Sequence, residues 1–265
     1  MQNDRVNNLI IFQQDNEKLV EALRLIQPWP TTGSLAAYDE FEFAELYRFM
    51  QNFRQDLNVT GSEPIPGKML TPKKERVSLP DSIYKLLVEY YNDTYDWDFV
   101  LITELADDPS RDSIVVLPTV DQFGRVRIAT EIFGSTLAPR YQRSSKILAK
   151  FVQSDDSIDT FPGQVQFYFE HTVDLPTGAK THQLAFVKWY LFARNRQIRF
   201  HFQIDQDDKS CNVELWKPDF FELGRDAIMP IHNIYSRFIS NKYEVKTWHF
   251  TAYMTVILIN KQFHL

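Results

Sequence analysis

An acidic helical region followed by an antiparallel β barrel or sandwich-like domain, an α+β arrangement, is what this sequence predicts. Three observations lead there. Apolar residues recur at helical spacing up to about residue 95, and at strand-like alternation after about residue 110. The charge changes with them. Residues 1–123 carry a balance of −10 and residues 124–265 a balance of +4, which together give the net −6. All 6 histidines and the 1 cysteine, Cys211, fall in the second part. Such a step marks two units with different surfaces, taken as residues 1–100 and 110–265.

The first helix is expected from Asp15, where Leu19, Val20, Leu23 and Ile26 recur at helical spacing until Pro28 and Pro30 stop them. A second starts at Asp39, with Glu42 completing a capping box and Leu46, Phe49, Met50, Phe53 and Leu57 forming one stripe. Residues 58–79 have prolines, glycines and no period, and are predicted as an extended linker or surface loop. A third helix follows Pro80, capped by Asp81 or Ser82, and buries Ile83, Leu86, Leu87, Tyr90 and Tyr91.

Strands follow. Ile114–Leu117 is a β-branched run, and a turn at Asp121–Gly124 leads into a strand over Arg125–Phe133. Further strands are predicted at Lys146–Val152, Gln164–His171, His182–Phe192, Arg199–Ile204, Asn212–Trp216, Ile234–Ile239 and Tyr253–Asn260. Hairpins are expected at Asp174–Thr181, which contains Pro176 and Gly178, and at Ala193–Ile198. Many short strands with turns between them point to an antiparallel barrel or sandwich.

Composition excludes several classes. A hydrophobic fraction of 44% and a charged fraction of 24% are those of a folded protein. One cysteine forms neither an internal disulfide nor a thiolate cluster, and 8 glycines leave little for phosphate-cradling loops. No P-loop and no G-x-S-x-G motif occurs. The N-terminus offers only the short apolar run Leu9–Phe12, and no stretch reaches the roughly 20 residues that span a bilayer, so a soluble intracellular protein is expected.

The search for chemistry yields little. Cys211 sits in DDKSCNVEL, with no basic cluster in the sequence to lower its pKa. No histidine pair has helical zinc spacing, and His171 and His182 are expected as partly buried, hydrogen-bonded strand residues. Asp96/Asp98, Asp107/Asp108, Asp155/Asp156/Asp159 and Asp205/Asp207/Asp208 lie in turn-like contexts. Two basic groups remain, each beside aromatics: Arg140, Arg143, Lys146 and Lys150, and Arg194, Arg196 and Arg199. Cations interleaved with aromatics suit phosphate contact with base stacking, although the acidic first part argues against wrapping by the whole chain.

Several long motifs, IFGSTLAPRYQRSSKILAKF, FPGQVQFYFEHTVDLPTGAKTHQLAFVKWY and NVELWKPDFFELGRDAIMPIHNIYSRFI, resemble a domain of transposon-derived proteins of Mucor-like fungi. TGSEPIPGKMLTPKKERVSLPDSIYKLLVEYYNDTYD and YMTVILINKQFHL fit the same pattern, so the likeness covers roughly residues 35–265. It implies an accessory segment at the C-terminal end of a cut-and-paste transposase, without the catalytic core, in a nuclear setting. A looser pattern is similar to bromo-adjacent homology domains: Val187–Tyr190, Asn212–Trp216 and Met229–Ile234 occur in that order, but Leu191-Phe192 stands where Arg-Pro is usual. That likeness implies a peptide-binding aromatic cage, for which Tyr168, Trp189, Tyr190 and Trp216 are the candidates.

The expectation is a non-catalytic binding or scaffolding domain of a transposon-derived protein. It would engage a protein or chromatin partner, or DNA, through its β half, with no membrane, cofactor or metal. The alternative is a metal-dependent nuclease or transposase whose carboxylates and histidines converge only in the fold.

Overall fold

The computed structural model of the chain describes residues 59–107, 113–152, 158–193, 199, 213–246 and 250–258. The helices expected before residue 58, the strand body after Arg199, Arg194, Arg196, His201 and Cys211 lie outside the described residues. What is described is mostly β, with few helices.

The architecture turns on one long hairpin, β7 (Ile158–Leu175) and β8 (Gly178–Phe192). Its loop is the predicted one. Pro176 supplies the fixed φ of the first turn position, and Gly178 takes φ +113°, where a side chain would be strained. Around this pair, β6 (Lys146–Val152), β9 (Val213–Phe220), β11 (Ile234–Lys246) and β12 (Phe250–Leu258) close a ring. The pairing runs β6–β7–β8–β9–β12–β11 and back to β6, antiparallel throughout, so the ring has no free edge. This is the barrel alternative of the sequence reading.

The same sheet extends beyond the ring from this hairpin. β4 (Thr119–Ile128) pairs with β7 and with β1 (Gly67–Ser78), β5 (Glu131–Phe133) returns along β4, and β10 (Ile228–Pro230) lies on β8. Two expectations change here. The stretch 58–79 is no loop, because β1 within it gains a partner strand along its length, from Gly67 opposite Ile128 to Ser78 opposite Thr119. The strand predicted over Arg125–Phe133 is instead a tight reversal, with Ala129 at φ +50° and Val126 opposite Phe133. The turn predicted at Asp121–Gly124 is strand, since Phe123 is buried and pairs on both sides.

Helix α1 (Asp81–Thr94) covers one face of this sheet. It buries Ile83, Leu86, Leu87, Tyr90 and Tyr91, as the spacing predicted, against Phe169, Val173, Leu184 and Phe186 of the hairpin. Its cap differs from the expected Asp81 or Ser82. Pro80 is the N-cap, with no side-chain bond, and its carbonyl accepts from the amides of Ile83 and Tyr84. A short parallel pair, β2 (Phe99–Leu101) and β3 (Ile114–Val116), flanks helix α2 (Ile102–Asp107). Val116 and Phe99 join the α1 cluster. The packed unit thus starts well before residue 110. Among the described residues, no helix is long and apolar enough to cross a membrane.

His171 and His182 face each other across β7–β8 beneath α1. Both are hydrogen-bonded, as expected, and both are fully buried rather than partly. His171 Nε2 donates to the carbonyl of Leu117 (2.9 Å), which leaves Nδ1 to accept from Tyr91 Oη (2.7 Å). His182 Nε2 meets Tyr95 Oη at 2.7 Å, while its Nδ1 has no partner of hydrogen-bond geometry among the described residues. Burial pushes each imidazole down to about 4, and for His182 the neighbouring His171 adds to the effect.

Because the folded values lie below the unfolded 6.5, the unfolded chain takes up protons first as pH falls. Stability from this pair is complete above pH 6.5 and drains away between 6.5 and about 4, by up to about 3 kcal/mol per histidine. Urea midpoints across that window, with the imidazole NMR shifts followed in parallel, test this; imidazoles titrating near 6.5 in the folded protein would refute it. Tyr91→Phe strands a buried acceptor and is expected to cost about 1–3 kcal/mol in the same unfolding assay.

Candidate nucleic-acid interface

The four cage candidates are not gathered at a surface. Tyr190 and Trp216 belong to a cluster with Leu148, Phe238, Met254 and Val256, against which Phe161 and Phe220 pack. All six strands of the ring contribute to it, so it fills the ring's interior. Tyr168 and Trp189 belong to the core on the other side of the β7–β8 sheet, with Val165, Ala185 and Val187. Their polar atoms are engaged: Tyr168 Oη donates to the Gly134 carbonyl (3.1 Å), Trp189 Nε1 to the Asp226 carbonyl (2.7 Å) and Trp216 Nε1 to Glu214 (2.8 Å). Alternation along strands separates these rings, because neighbours such as Trp189 and Tyr190 point to opposite faces.

Arg199 is also spoken for. Its guanidinium makes a fork with Asp159 (2.9 and 3.0 Å), donates to Glu214 (2.8 Å) and lies over Trp216 at 4.7 Å. It braces the ring rather than offering charge to a ligand. The same holds for other cations: Lys73 pairs with Glu75 and Asp121, Arg225 with Asp93 and Asp226, and Arg237 with Glu131.

The first basic group differs. A 3-10 turn, Pro139–Ser145, precedes β6 and exposes Arg140, Tyr141 and Arg143. Proline at its first position suits the turn, and its hydroxyls close it: Ser144 Oγ donates to the Tyr141 carbonyl (2.9 Å), Ser145 Oγ to that of Gln142 (2.6 Å). Gly134 lets the turn sit flush, since a Cβ there would stand 2.3 Å from the Tyr141 carbonyl oxygen. Over one face of the Tyr141 ring lies the Arg125 guanidinium, at 4.4 Å, held by Thr71 through its carbonyl (2.6 Å) and hydroxyl (3.2 Å).

Strand register extends this group. Lys146 opens β6 and stands opposite Gln164 of β7, which stands opposite Lys188 of β8. The three side chains therefore share one face, with the two lysine Cα atoms roughly 10 Å apart across three strands. Along β8 the same face carries Phe186, Lys188 and Tyr190 in turn, so the row lies between the α1 cluster and the ring interior. Gln164 Nε2 reaches Ser145 Oγ (3.4 Å), joining the row to the turn. Lys146 Nζ donates to Ser240 Oγ, and partial burial lowers its pKa.

Among the described residues, no carboxylate forms an ion pair with Arg125, Arg140, Arg143, Lys146 or Lys188. Lys150 is set apart. It lies four residues along β6, roughly 13 Å from Lys146 and beyond the buried Leu148, with its ammonium 3.8 Å from the Tyr235 ring centroid. Lys188, Gln164 and Arg125 escaped the sequence reading. Lys188 lies within the quoted VKWY, but nothing in linear sequence places it beside Lys146.

No group of three His, Cys, Asp or Glu side chains suited to a metal occurs among the described residues. The acidic clusters at Asp155/Asp156 and Asp205/Asp207/Asp208 and the residue Asp108 lie outside them. Trp216→Ala is expected to destabilise the fold by about 3–5 kcal/mol in chemical denaturation, as loss of a ring-filling side chain should. A near-neutral result would contradict the core assignment. In comparison with known proteins, no family model, curated protein or solved structure matches the chain.

Proposed function

We propose that this chain is a non-catalytic binding module that holds DNA by its phosphates, through Arg125, Arg140, Arg143, Lys146 and Lys188. One observation carries the reading: strand register sets Lys146 and Lys188 in one row that meets the turn bearing Arg140, Tyr141 and Arg143, and among the described residues none of these cations, nor the Arg125 that backs Tyr141, has a carboxylate ion pair, whereas Lys73, Arg199, Arg225 and Arg237 each have one. Concentrating positive charge costs self-repulsion, which a bound polyanion relieves. The motif resemblance to transposon-derived proteins supports a partner of this kind, since such proteins work on DNA. An overall charge of −6 makes the contact local rather than enveloping.

Phosphate contact has a salt signature. If about five phosphates are neutralised, log K falls with log salt at a slope of about −3.5 for a single strand or −4.5 for a duplex. The double variant Arg140→Gln/Arg143→Gln is expected to weaken binding at low salt and to reduce the slope by about 1.4–1.8. Fluorescence anisotropy with a labelled oligonucleotide over a salt series measures both. No binding at low salt, or a slope indifferent to these substitutions, would sink the reading.

A further inference from the structure

Beside the arginines of the turn stands an exposed aromatic ring, Tyr141, and its setting specifies more than charge. The ring is 37% exposed, and its neighbours on the turn, Arg140 and Arg143, are exposed with it. Arg125 occupies one face of the ring, and no other aromatic ring among the described residues lies against it. Arg125 is itself fixed by two hydrogen bonds to Thr71, and the turn by the bonds of Ser144 and Ser145 and by the amide of Gly134, which donates to the Ser144 carbonyl (3.1 Å). Tyr141 is thus an exposed ring backed by a fixed cation on one face, on a turn that also presents Arg140 and Arg143.

We infer that this face takes an unpaired DNA strand, with one base stacked on the exposed ring of Tyr141. The adjoining phosphates lie against Arg140 and Arg143 on one side and against the Lys146–Gln164–Lys188 row on the other. This rests on the phosphate reading above and adds the class of strand. The physical ground is the availability of base faces. In a duplex each base is covered above and below by its neighbours, so an exposed tyrosine has nothing to stack on. In a single strand the bases can splay onto an aromatic side chain.

Tyr235 supplies an internal control. It too is exposed and backed by a cation, Lys150, but the buried Leu148 separates it from the basic row. A requirement for any surface tyrosine would therefore be distinguished from a requirement for Tyr141.

The test uses anisotropy at low salt with an end-labelled mixed-sequence oligonucleotide, single-stranded and as a blunt duplex. The single strand is expected to bind about tenfold or more tightly than the duplex. Tyr141→Ala should lower single-strand affinity about 5- to 100-fold, the range of one base–aromatic stack. Duplex affinity should change less than about twofold, as for other purely positional losses away from phosphate contacts. Tyr141→Phe, which keeps the ring, and Tyr235→Ala should both retain single-strand affinity. Thermal melting confirms that each variant folds. A duplex bound as tightly as the single strand, or an alanine variant that weakens both forms equally, overturns this inference and leaves the phosphate reading standing. Failure of the unaltered protein to bind either form overturns both.

Discussion

Over its middle, from Val165 opposite Val187 to Phe169 opposite Leu184, the β7–β8 ladder carries buried side chains on both faces, and three clusters share the hairpin's side chains. Phe169, Val173, Leu184 and Phe186 lie under α1; Val165, Tyr168, Ala185 and Val187 face the second core; Tyr190 enters the ring. A strand with two buried faces tolerates no slip. Shifting its register by one residue would exchange the faces, moving Lys188 into the core and Val187 out of it. The one irregularity is a bulge at Gln166, where Val165 pairs with Val187 but Phe167 with Phe186. That extra residue changes which parity faces inward, so Val165 and Tyr168 lie in one core despite being three apart. The freed carbonyl of Gln166 accepts from the Leu137 amide and the Thr136 hydroxyl.

The same register builds the basic row. Lys146, Gln164 and Lys188 are neighbours because β6, β7 and β8 are fixed against one another by apolar contacts on the opposite face, from Ile147, Ala149, Val165 and Val187. Like charges do not seek each other; here burial of hydrocarbon holds them together, and the Lys146 ammonium has a hydroxyl rather than a carboxylate for company. Elsewhere the molecule spends its acidic residues on bracing. Asp159 and Glu214 orient Arg199 over Trp216, and Asp93 and Asp226 hold Arg225 beside α1. What distinguishes the face is the strand register that sets Lys146 and Lys188 in one row beside the turn bearing Arg140 and Arg143.

Where local signals and burial agreed, the chain was legible. The spacing of Ile83, Leu86, Leu87, Tyr90 and Tyr91 located α1 and its buried side, and Pro176 with Gly178 located the central hairpin. His171 and His182 were read as buried and hydrogen-bonded, though not that their partners would be Tyr91 and Tyr95. Local signals misled where pairing outweighed them. Prolines, glycines and the lapse of period made 58–79 read as a loop, yet β4 satisfies the backbone of β1. Asp121 and Gly124 look like a turn, yet they lie in a strand held between β1 and β7. Of the candidate site, Arg140, Arg143 and Lys146 were legible because they are close in sequence. Lys188 and Arg125 were not, since each joins the group across strands.

The periods, the antiparallel character of the later strands and the asymmetry of charge follow from residue types within a few positions of each other, so they are readable without the fold. Closure of the strands into a ring, the filling of that ring by Tyr190 and Trp216 while Tyr168 and Trp189 turn away, and the neutralisation of Arg199 emerge from the fold alone. Ring closure joins β6 to β11 and β8 to β9 across long separations, and ion pairing depends on which carboxylate lies within a few ångströms. Both are set by packing the whole chain. The acidic first part and basic second part marked where positive charge is plentiful, but which cations remain unpaired depends on distances no local pattern encodes.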